Sequence, residues 1–483
     1  MANRTLWLII LLALCVGSLG RVYLLEKRPF HADEANQAYR TGKMLDGEIY
    51  RYNANDHHGP TLYYLTLPVL RLLNVQSFAE SKEFHYRILP AVFGILLVLL
   101  SVFLHDSLGK SSALWASLFT AISPAMVYYN RYYIQETLLV LFSFIFILSG
   151  WHYLQTKKHL WLLVVAISAA LMHATKETCV LVWGAAAAAA VLVFFVNLKR
   201  TIRDFAPPIH HSLIAVFTFL IVSGLFYSSF LHNLPGILDS FTTYVGYVKR
   251  GTDQASIHRH SCYYYFQLLL FTKRSAGPIW TEAFPFFLAV FASCLSFTQR
   301  WDEKKRHFVR FLFYYTLLLS LFYSVIPYKT PWCLLGFWHG FLILAGIGAA
   351  EISTFGKNYW QKLPLVAMTL FCLIHLVRLS YLTNFVYPSD VRNPYVYAHT
   401  STAIFRLRDR LDAIRALSPT SSENLQIAVI AEGNDYWPLP WYLRHFRQAG
   451  YWSAIPDTIE ADVVVVASNL ANDLEKRLNG SYH

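Results

Sequence analysis

Runs of about 20 apolar residues recur along this 483-residue chain and constrain its fold more than any other feature. A helix needs roughly 20 apolar residues to cross the hydrocarbon core of a bilayer. Hydrophobic residues make up 55% of the chain and charged residues only 14%, which excludes a soluble enzyme and a disordered chain. The sequence therefore predicts a polytopic α-helical membrane protein. The eleven predicted transmembrane helices lie near 5–25, 88–104, 112–128, 137–155, 160–174, 179–198, 212–231, 283–298, 308–326, 332–350 and 363–381.

Charge predicts the sides of the membrane. The first segment is predicted to stay as an anchor, because Leu24-Leu25-Glu26-Lys27 offers no small-residue cleavage site after it. The loops on the side of the N-terminus carry 14 Lys and Arg against 5 Asp and Glu, which predicts a cytoplasmic N-terminus. Eleven spans then put the C-terminus outside. The formal charge of +12 is interpreted as this topology signal and not as nucleic-acid binding, and the predicted location is the inner (cytoplasmic) membrane.

Two domains are predicted, a transmembrane domain over 1–381 and a polar tail over 382–483. The transmembrane domain has two long outside loops, 26–87 and 232–281, and loops of that length are uncommon unless they are functional or disordered. In the first loop, 61–73 is predicted to be a helix at the membrane interface, with Tyr63 and Tyr64 at headgroup depth.

The tail is predicted to be a small extracytoplasmic α/β domain. Its strands are predicted at 426–431 and 462–467, with a helix over 438–449 between them. Trp437 and Trp441 are available for stacking on a sugar or, equally, for docking the domain onto the membrane. The six cysteines form no CxxC pair, so neither a zinc site nor a disulfide framework is indicated.

Adjacent carboxylates follow the first span in Phe30-His31-Ala32-Asp33-Glu34-Ala35. Charged groups at a membrane surface are costly to desolvate unless they are used or paired. The alternative is structural: Asp33 could cap a helix whose first turn contains Glu34. Both roles are compatible, because one residue can cap while its neighbour reacts.

This pair, followed by an acidic residue in the second outside loop, resembles the GT-C glycosyltransferases of the protein O-mannosyltransferase and aminoarabinose transferase type. The second element is Arg131-Tyr-Tyr-Ile-Gln-Glu136, which is similar to that superfamily's Arg and carboxylate at the start of a span. Five longer motifs resemble more closely the membrane family described as flippase activity-associated. They are Asp56-His57-His58-Gly59-Pro60, Ala174-Thr-Lys176-Glu177-Thr, Pro327-Tyr-Lys329-Thr-Pro-Trp332, Asn393-Pro-Tyr-Val-Tyr-Ala-His-Thr400 and Tyr436-Trp-Pro-Leu-Pro-Trp-Tyr-Leu-Arg444.

The resemblance implies transfer of a sugar from a polyprenyl-phosphate donor to a hydroxyl acceptor outside the membrane. In that superfamily the first-loop aspartate is a catalytic base or a metal ligand, and Asp33 occupies its position. Glu136 matches the second acidic position, and Glu34 is expected to tune Asp33. An attacking hydroxyl needs a nearby base, whereas a leaving lipid phosphate needs positive charge more than a proton donor.

Six basic residues are candidates for binding that phosphate: Arg131, Lys176, Lys329, Arg259, His258 and His260. Each has a structural alternative. Lys176 could pair with its neighbour Glu177, Lys329 could extend to the headgroups, and Arg131 could pack on the four tyrosines around it. The segment 256–266 could simply be an amphipathic interfacial helix.

A divalent metal is compatible with the sequence, and no other cofactor is indicated. Asp33 and Glu136 could bind it together with His57 or His58. Adjacent histidines diverge on a strand or a helix, so at most one of them should point inward.

The predicted partners are a polyprenyl-phosphate sugar, the lipid bilayer and a glycan, lipid or protein acceptor. Two other functions stay open: a flippase or transport component for lipid-linked sugars, and a non-catalytic assembly partner. A transport path needs ionisable groups within the spans, and the apolar runs are nearly free of them, which favours chemistry at the membrane surface.

Overall fold

The computed structural model describes residues 15–54, 58–196, 207–252, 256–355, 358–417 and 425–478. Helices dominate these residues. Up to residue 196 they are α1 (15–22), α2 (Ala32–Leu45), α3 (Thr61–Leu72), α4 (Glu83–Leu100), α5 (His105–Leu108), α6 (Lys110–Ile122), α7 (Pro124–Tyr129), α8 (Glu136–Thr156), α9 (His159–His173) and α10 (Cys179–Ala190).

The later elements end in a small sheet. The helices are α11 (Ile209–Tyr227), α12 (Pro235–Thr252), α13 (Tyr264–Leu270), α14 (Ala283–Leu295), α15 (Glu303–Val325), α16 (Leu335–Ile352), α17 (Tyr359–Tyr381), α18 (Ala403–Leu417), α19 (Leu439–Tyr442) and α20 (Ala471–Leu478). The strands are β1 (Gln426–Ile430), β2 (Gln448–Trp452) and β3 (Val463–Val466).

Six helical segments within the described residues are long and apolar enough to cross a membrane. They are Glu83–Leu108, Glu136–Thr156, Ile209–Tyr227, Glu303–Val325, Pro331–Ile352 and Tyr359–Val386, and α9, α10 and α14 are shorter apolar helices. The predicted polytopic helical membrane protein is confirmed, whereas the count of eleven spans stays a prediction. The predicted span 112–128 is broken, because Ser123 caps α7 and Pro124 is its first residue.

The chain divides into two compact units, and the division differs from the predicted boundary at 381. The first unit comprises 1–25, 49–66 and 87–397. The second comprises 26–48, 67–86 and 398–483, so the part of the tail from residue 398 onward forms one unit with two pieces of the first long loop. The loop segment carrying the Asp33-Glu34 pair therefore belongs with the tail.

Helix α16 is the core of the first unit. It packs against α6 and α14, while α8 packs on α9, α9 on α11, and α10 on α15. The predicted helix at 61–73 is present as α3, but Tyr63 is fully buried against the ring of Tyr50 and is not available to lipid headgroups. Only Tyr64 is partly exposed.

The second unit contains the predicted α/β fold. Its three strands are parallel in the order β2-β1-β3, with Gln426 opposite Gln448 and Ile427 opposite Val463. Both predicted strands are present, but the predicted helix over 438–449 is wrong beyond Tyr442, since 448–452 forms β2. The core of this unit contains apolar residues from α18, β1 and the segment after α19: Leu411, Ile427, Val429, Leu443 and Phe446.

Candidate active site

The Asp33 carboxylate is not used for capping α2. The N-cap is His31, whose Nδ1 accepts a hydrogen bond from the Asp33 backbone N–H at 3.0 Å. Glu34 completes the cap, because its carboxylate accepts from the His31 backbone N–H at 3.1 Å. The interpretation of Asp33 as the cap is therefore wrong. About half of the Asp33 side chain is exposed, 3.8 Å from His31 Nδ1, and its carboxylate can meet a substrate.

Glu34 is buried and has a structural role in the same unit. Its carboxylate lies 3.7 Å from the Arg28 guanidinium, and neither side chain is more than 5% exposed. The ring of His399 lies 5.8 Å from that of His31. Burial, followed by the charge of Arg28, lowers the pKa of His399 well below its ordinary value. His399 therefore stays neutral at pH 7 beside the start of α2.

In the first unit, Glu136 and Lys176 form a buried ion pair. Glu136 is the first residue of α8, and its carboxylate accepts a hydrogen bond from Lys176 Nζ. Burial alone would lower the pKa of Lys176, but the Glu136 charge outweighs it and raises the pKa well above its ordinary value. The suggested pairing of Lys176 with the adjacent Glu177 is wrong. Trp332 and Cys333 line a small cavity beside this pair.

Arg131 contacts backbone carbonyls at the end of α1. Its guanidinium donates to the carbonyls of Gly20 and Tyr23 at 2.9 and 2.7 Å, and the ring of Phe385 lies 5.0 Å away. Phe385 is thus a cation–π partner of Arg131. Conversely, the guanidinium of Arg21 in α1 donates hydrogen bonds of 2.8 and 3.0 Å to backbone carbonyls at the end of α6. The phosphate role of Arg131 stays a prediction, and this network fixes where α1 ends relative to α6.

Three of the predicted phosphate ligands converge elsewhere in the first unit. The backbone N–H of Lys329 donates to the His258 carbonyl at 2.9 Å, and that of His260 donates to the Pro327 carbonyl at 3.1 Å. These bonds join two loops as an antiparallel bridge. Tyr397 completes the cluster, since its hydroxyl lies 2.7 Å from His258 Nδ1 and 3.2 Å from His260 Nε2.

The charge of Lys329 is not neutralised by a carboxylate among the described residues. Its Nζ donates only to the carbonyls of Ile326 and His260. Burial lowers the pKa of Lys329, and burial followed by the charge of His258 lowers that of His260. Arg259, the residue between the two histidines, is exposed.

A second polar cluster was not predicted from the sequence. Glu177 accepts from His58 Nδ1 at 2.7 Å, and Tyr247 lies 2.7 Å from the same nitrogen. Burial would raise the pKa of Glu177, but the adjacent His58 outweighs it and lowers the pKa. The sequence contained both motifs, 56–60 and 174–178, but it did not show that they are neighbours in the fold. A Cβ on Gly59 would lie 2.3 Å from the Ala174 carbonyl oxygen, so only glycine permits this approach.

Glu282 is a further buried carboxylate that sequence reasoning missed. It accepts from the Ser123 hydroxyl at 2.5 Å, the Ala125 backbone N–H at 2.9 Å and the Tyr395 hydroxyl at 2.6 Å. Burial raises its pKa. The carboxylate thus ties the start of α7 to the segment that carries Tyr397.

The metal hypothesis stays a prediction. Asp56 and His57 lie outside the described residues. His58 is engaged with Glu177, and Glu136 with Lys176. Within the described ranges, no group of three His, Cys, Asp or Glu side chains is arranged to hold a metal ion.

Comparison with known proteins identifies the fold. A family model described as dolichyl-phosphate-mannose-protein mannosyltransferase matches residues 57–226. No curated protein matches the sequence. Among solved structures, the chain is similar to ArnT from Cupriavidus metallidurans bound to undecaprenyl phosphate, with a TM-score of 0.61 and 14% identity over 93% of this chain and 86% of that chain.

The chain is also similar to the archaeal oligosaccharyltransferase AglB from Archaeoglobus fulgidus in complex with an inhibitory peptide and a dolichol-phosphate. The TM-score is 0.61 and the identity 12%, over 94% of this chain but only 65% of AglB. These likenesses confirm the predicted resemblance to the GT-C superfamily at the level of the fold. The closer resemblance to the flippase activity-associated family stays a prediction.

Proposed function

We propose that this chain with the GT-C fold is a membrane glycosyltransferase that moves a sugar from a polyprenyl-phosphate donor to a hydroxyl acceptor on the outer face of the membrane. The two solved structures to which it is similar were captured with undecaprenyl phosphate and with a dolichol-phosphate. A polyprenyl-phosphate donor is therefore the chemistry that the fold favours.

The observation that carries the proposal is the cluster of Lys329, His258, His260 and Tyr397. Transfer from a lipid phosphate develops negative charge on the leaving oxygen, and donors fixed before the reaction stabilise it without reorganisation. Lys329 suits this role, because backbone carbonyls hold its ammonium group and no described carboxylate competes for it. The imidazoles and the Tyr397 hydroxyl supply further donors beside it.

Asp33 is the proposed general base. Its carboxylate is half-exposed and released from capping, while His31 and Glu34 fix the backbone that carries it. Glu136, paired with Lys176, is proposed to organise the site from the start of α8. Arg131 is assigned to helix capping in preference to phosphate binding, because its guanidinium already contacts the carbonyls at the end of α1.

The test is release of polyprenyl phosphate by purified protein incubated with a panel of polyprenyl-phosphate sugars. We expect release from one or more donors, and Lys329→Met should abolish it while Arg259→Met, which removes an exposed charge next to the cluster, should not. The proposal would be wrong if the wild-type protein released no polyprenyl phosphate but moved intact donor across vesicle membranes. The protein would then be a transporter of the donor.

A further inference from the structure

A mixed basic and aromatic pocket lies within the second unit, apart from the residues assigned above. Its volume is about 430 Å³, within the range of about 300–1,000 Å³ that is typical of small-molecule sites. The charged and aromatic residues in its lining include Lys82, Glu83, Phe405, Arg408, Tyr442 and Arg444. These residues come from α4 and the residue before it, α18, α19 and the turn after α19.

We propose that this pocket binds a sugar that carries a phosphate or a carboxylate, as the recognised part of the acceptor. The inference rests on the proposed function, since it supplies the acceptor for that reaction. The acceptor would then be an anionic glycan, recognised by this pocket.

Arg444 is the first reason. Its guanidinium donates to the carbonyls of Trp441 and Ser81 and stacks on the Trp441 ring at 4.0 Å. Its Nε is buried, and no described group accepts from it. No described carboxylate lies within ion-pair distance of this guanidinium, and backbone carbonyls hold its partly buried positive charge in a fixed orientation. Burial lowers the pKa of Arg444 more than the charge of Glu83 raises it, so an anionic oxygen in the pocket would add counter-charge to this guanidinium.

The aromatic rings are the second reason. Phe405 and Tyr442 lie edge to face, with centroids 6.0 Å apart, and the Arg408 guanidinium lies 5.0 Å from the Phe405 centroid. Tyr442 is almost fully buried, so the partly exposed ring of Phe405 is the apolar surface that the lining offers a sugar ring next to a cation. Carboxylates beside such a surface accept hydrogen bonds from sugar hydroxyls, and Glu83 and Glu26 provide them here. A bare phosphate would use only the cations, whereas a charged sugar uses every type of group in the lining.

Trp441 itself is excluded from sugar stacking. It is fully buried between Phe30 and Phe78, with ring centroids 4.7 and 5.7 Å away. The prediction of two tryptophans free to stack is therefore wrong for Trp441. The available aromatic surface is that of Phe405, in the pocket.

The test is calorimetric titration of the detergent-solubilised full-length protein with glucose 6-phosphate, glucuronate, glucose and inorganic phosphate. We expect glucose 6-phosphate or glucuronate to bind about tenfold or more tightly than either glucose or phosphate, since hydrogen bonds to charged groups exceed that increment. Arg408→Gln and Lys82→Gln should each weaken this binding. Arg410→Gln, an exposed charge on the same helix outside the pocket lining, is the matched control and should not.

Equal affinity for glucose and glucose 6-phosphate, no binding by any probe, or equal loss in Arg410→Gln would overturn the proposal. Tighter binding of dihexanoyl-phosphatidylglycerol than of both charged sugars would make the pocket a lipid site and would also overturn it. Asp33→Asn should bind the charged sugar normally. Binding without any donor cleavage by the wild-type protein would refute the proposed function alone, and donor cleavage without binding would refute this inference alone.

Discussion

The Asp33 carboxylate, unlike the side chains of His31 and Glu34, does not take part in capping α2. Its catalytic role can therefore be tested by a single substitution. Asp33→Asn keeps the size of the side chain and leaves the His31–Glu34 cap intact. Loss of a general base costs about 100- to 10,000-fold in rate. We therefore expect the variant to fold with an unchanged melting temperature and to transfer sugar at less than about a hundredth of the wild-type rate.

The matched control is Asp46→Asn at the other end of α2. Asp46 accepts a hydrogen bond from the Phe78 backbone N–H at 2.8 Å, and asparagine can still accept it. For both variants, transfer is measured with a donor that carries a radiolabelled sugar. Asp46→Asn should retain full turnover in this assay. Near-normal turnover by Asp33→Asn would remove the catalytic assignment.

The buried pair of Glu136 and Lys176 calls for a double-mutant cycle. Glu136→Gln leaves the Lys176 ammonium buried without its counter-charge, which typically costs about 3–5 kcal/mol. Replacing both residues, Glu136→Gln with Lys176→Met, should recover most of the melting temperature in detergent. If Glu136 organises the reaction, the double variant should be stable and still inactive. A stable, active double variant would make the pair purely structural.

At the scale of elements, α6 and α16 approach closely at one glycine. A Cβ on Gly346 would lie 2.4 Å from the backbone nitrogen of Ala116, which cannot give way as a flexible side chain would. Small residues permit such contacts between membrane helices. Gly346→Ala should destabilise the protein by about 1–3 kcal/mol, the usual cost of overpacking, as a lower melting temperature in detergent.

Gly246 in α12 provides the control for this substitution. Apart from the backbone of α12 itself, no described atom lies within 4 Å of a Cβ built there, so Gly246→Ala should gain helix propensity, by up to about 1 kcal/mol. If the two variants melt at the same temperature, close packing of α6 on α16 does not limit stability.

Elements with a strong local signal could be predicted from the sequence, and those decided by distant contacts could not. The Val-rich run at 463–466 and the strand at 426–430 were found because nearly all of their residues are apolar, with Val and Ile in the majority, as is typical of strands. Strand β2 has no such pattern: its ends are exposed and its middle is half-buried, so pairing with β1 decides its structure. The break at Pro124 did carry a signal, a Ser-Pro pair inside an apolar run.

The same distinction applies to the candidate site. Asp33 and Glu136 were predicted as site residues from local motifs, but the partner of each side chain depended on the fold. Lys176 pairs with a residue 40 positions away and His58 with one 119 positions away. No periodicity in one sequence reports such contacts. The Glu282 hub was missed because a single carboxylate before an apolar run also fits an ordinary helix start.

At the scale of the whole molecule, the tail from residue 398 onward belongs to the compact unit that carries Asp33. The backbone N–H of Phe30 donates to the Tyr442 hydroxyl at 2.9 Å, across 412 residues of sequence. Phe30 is fully buried, and its ring packs on Trp441. Deleting 398–483 would expose Phe30 and remove the partners that hold the chain entering α2. We therefore expect this deletion to abolish both donor cleavage and transfer to an acceptor.

A shorter truncation is the control for that deletion. Removing 471–483 takes away only α20 and the residues after it, where Leu474 is the buried residue within the described part. This protein should still release polyprenyl phosphate at close to the wild-type rate. Retention of donor cleavage after deletion of 398–483 would contradict the argument, because the start of α2 would then hold its geometry without Trp441 and Tyr442. In that case the tail would act only on the acceptor, and donor cleavage would not depend on the rest of the second unit.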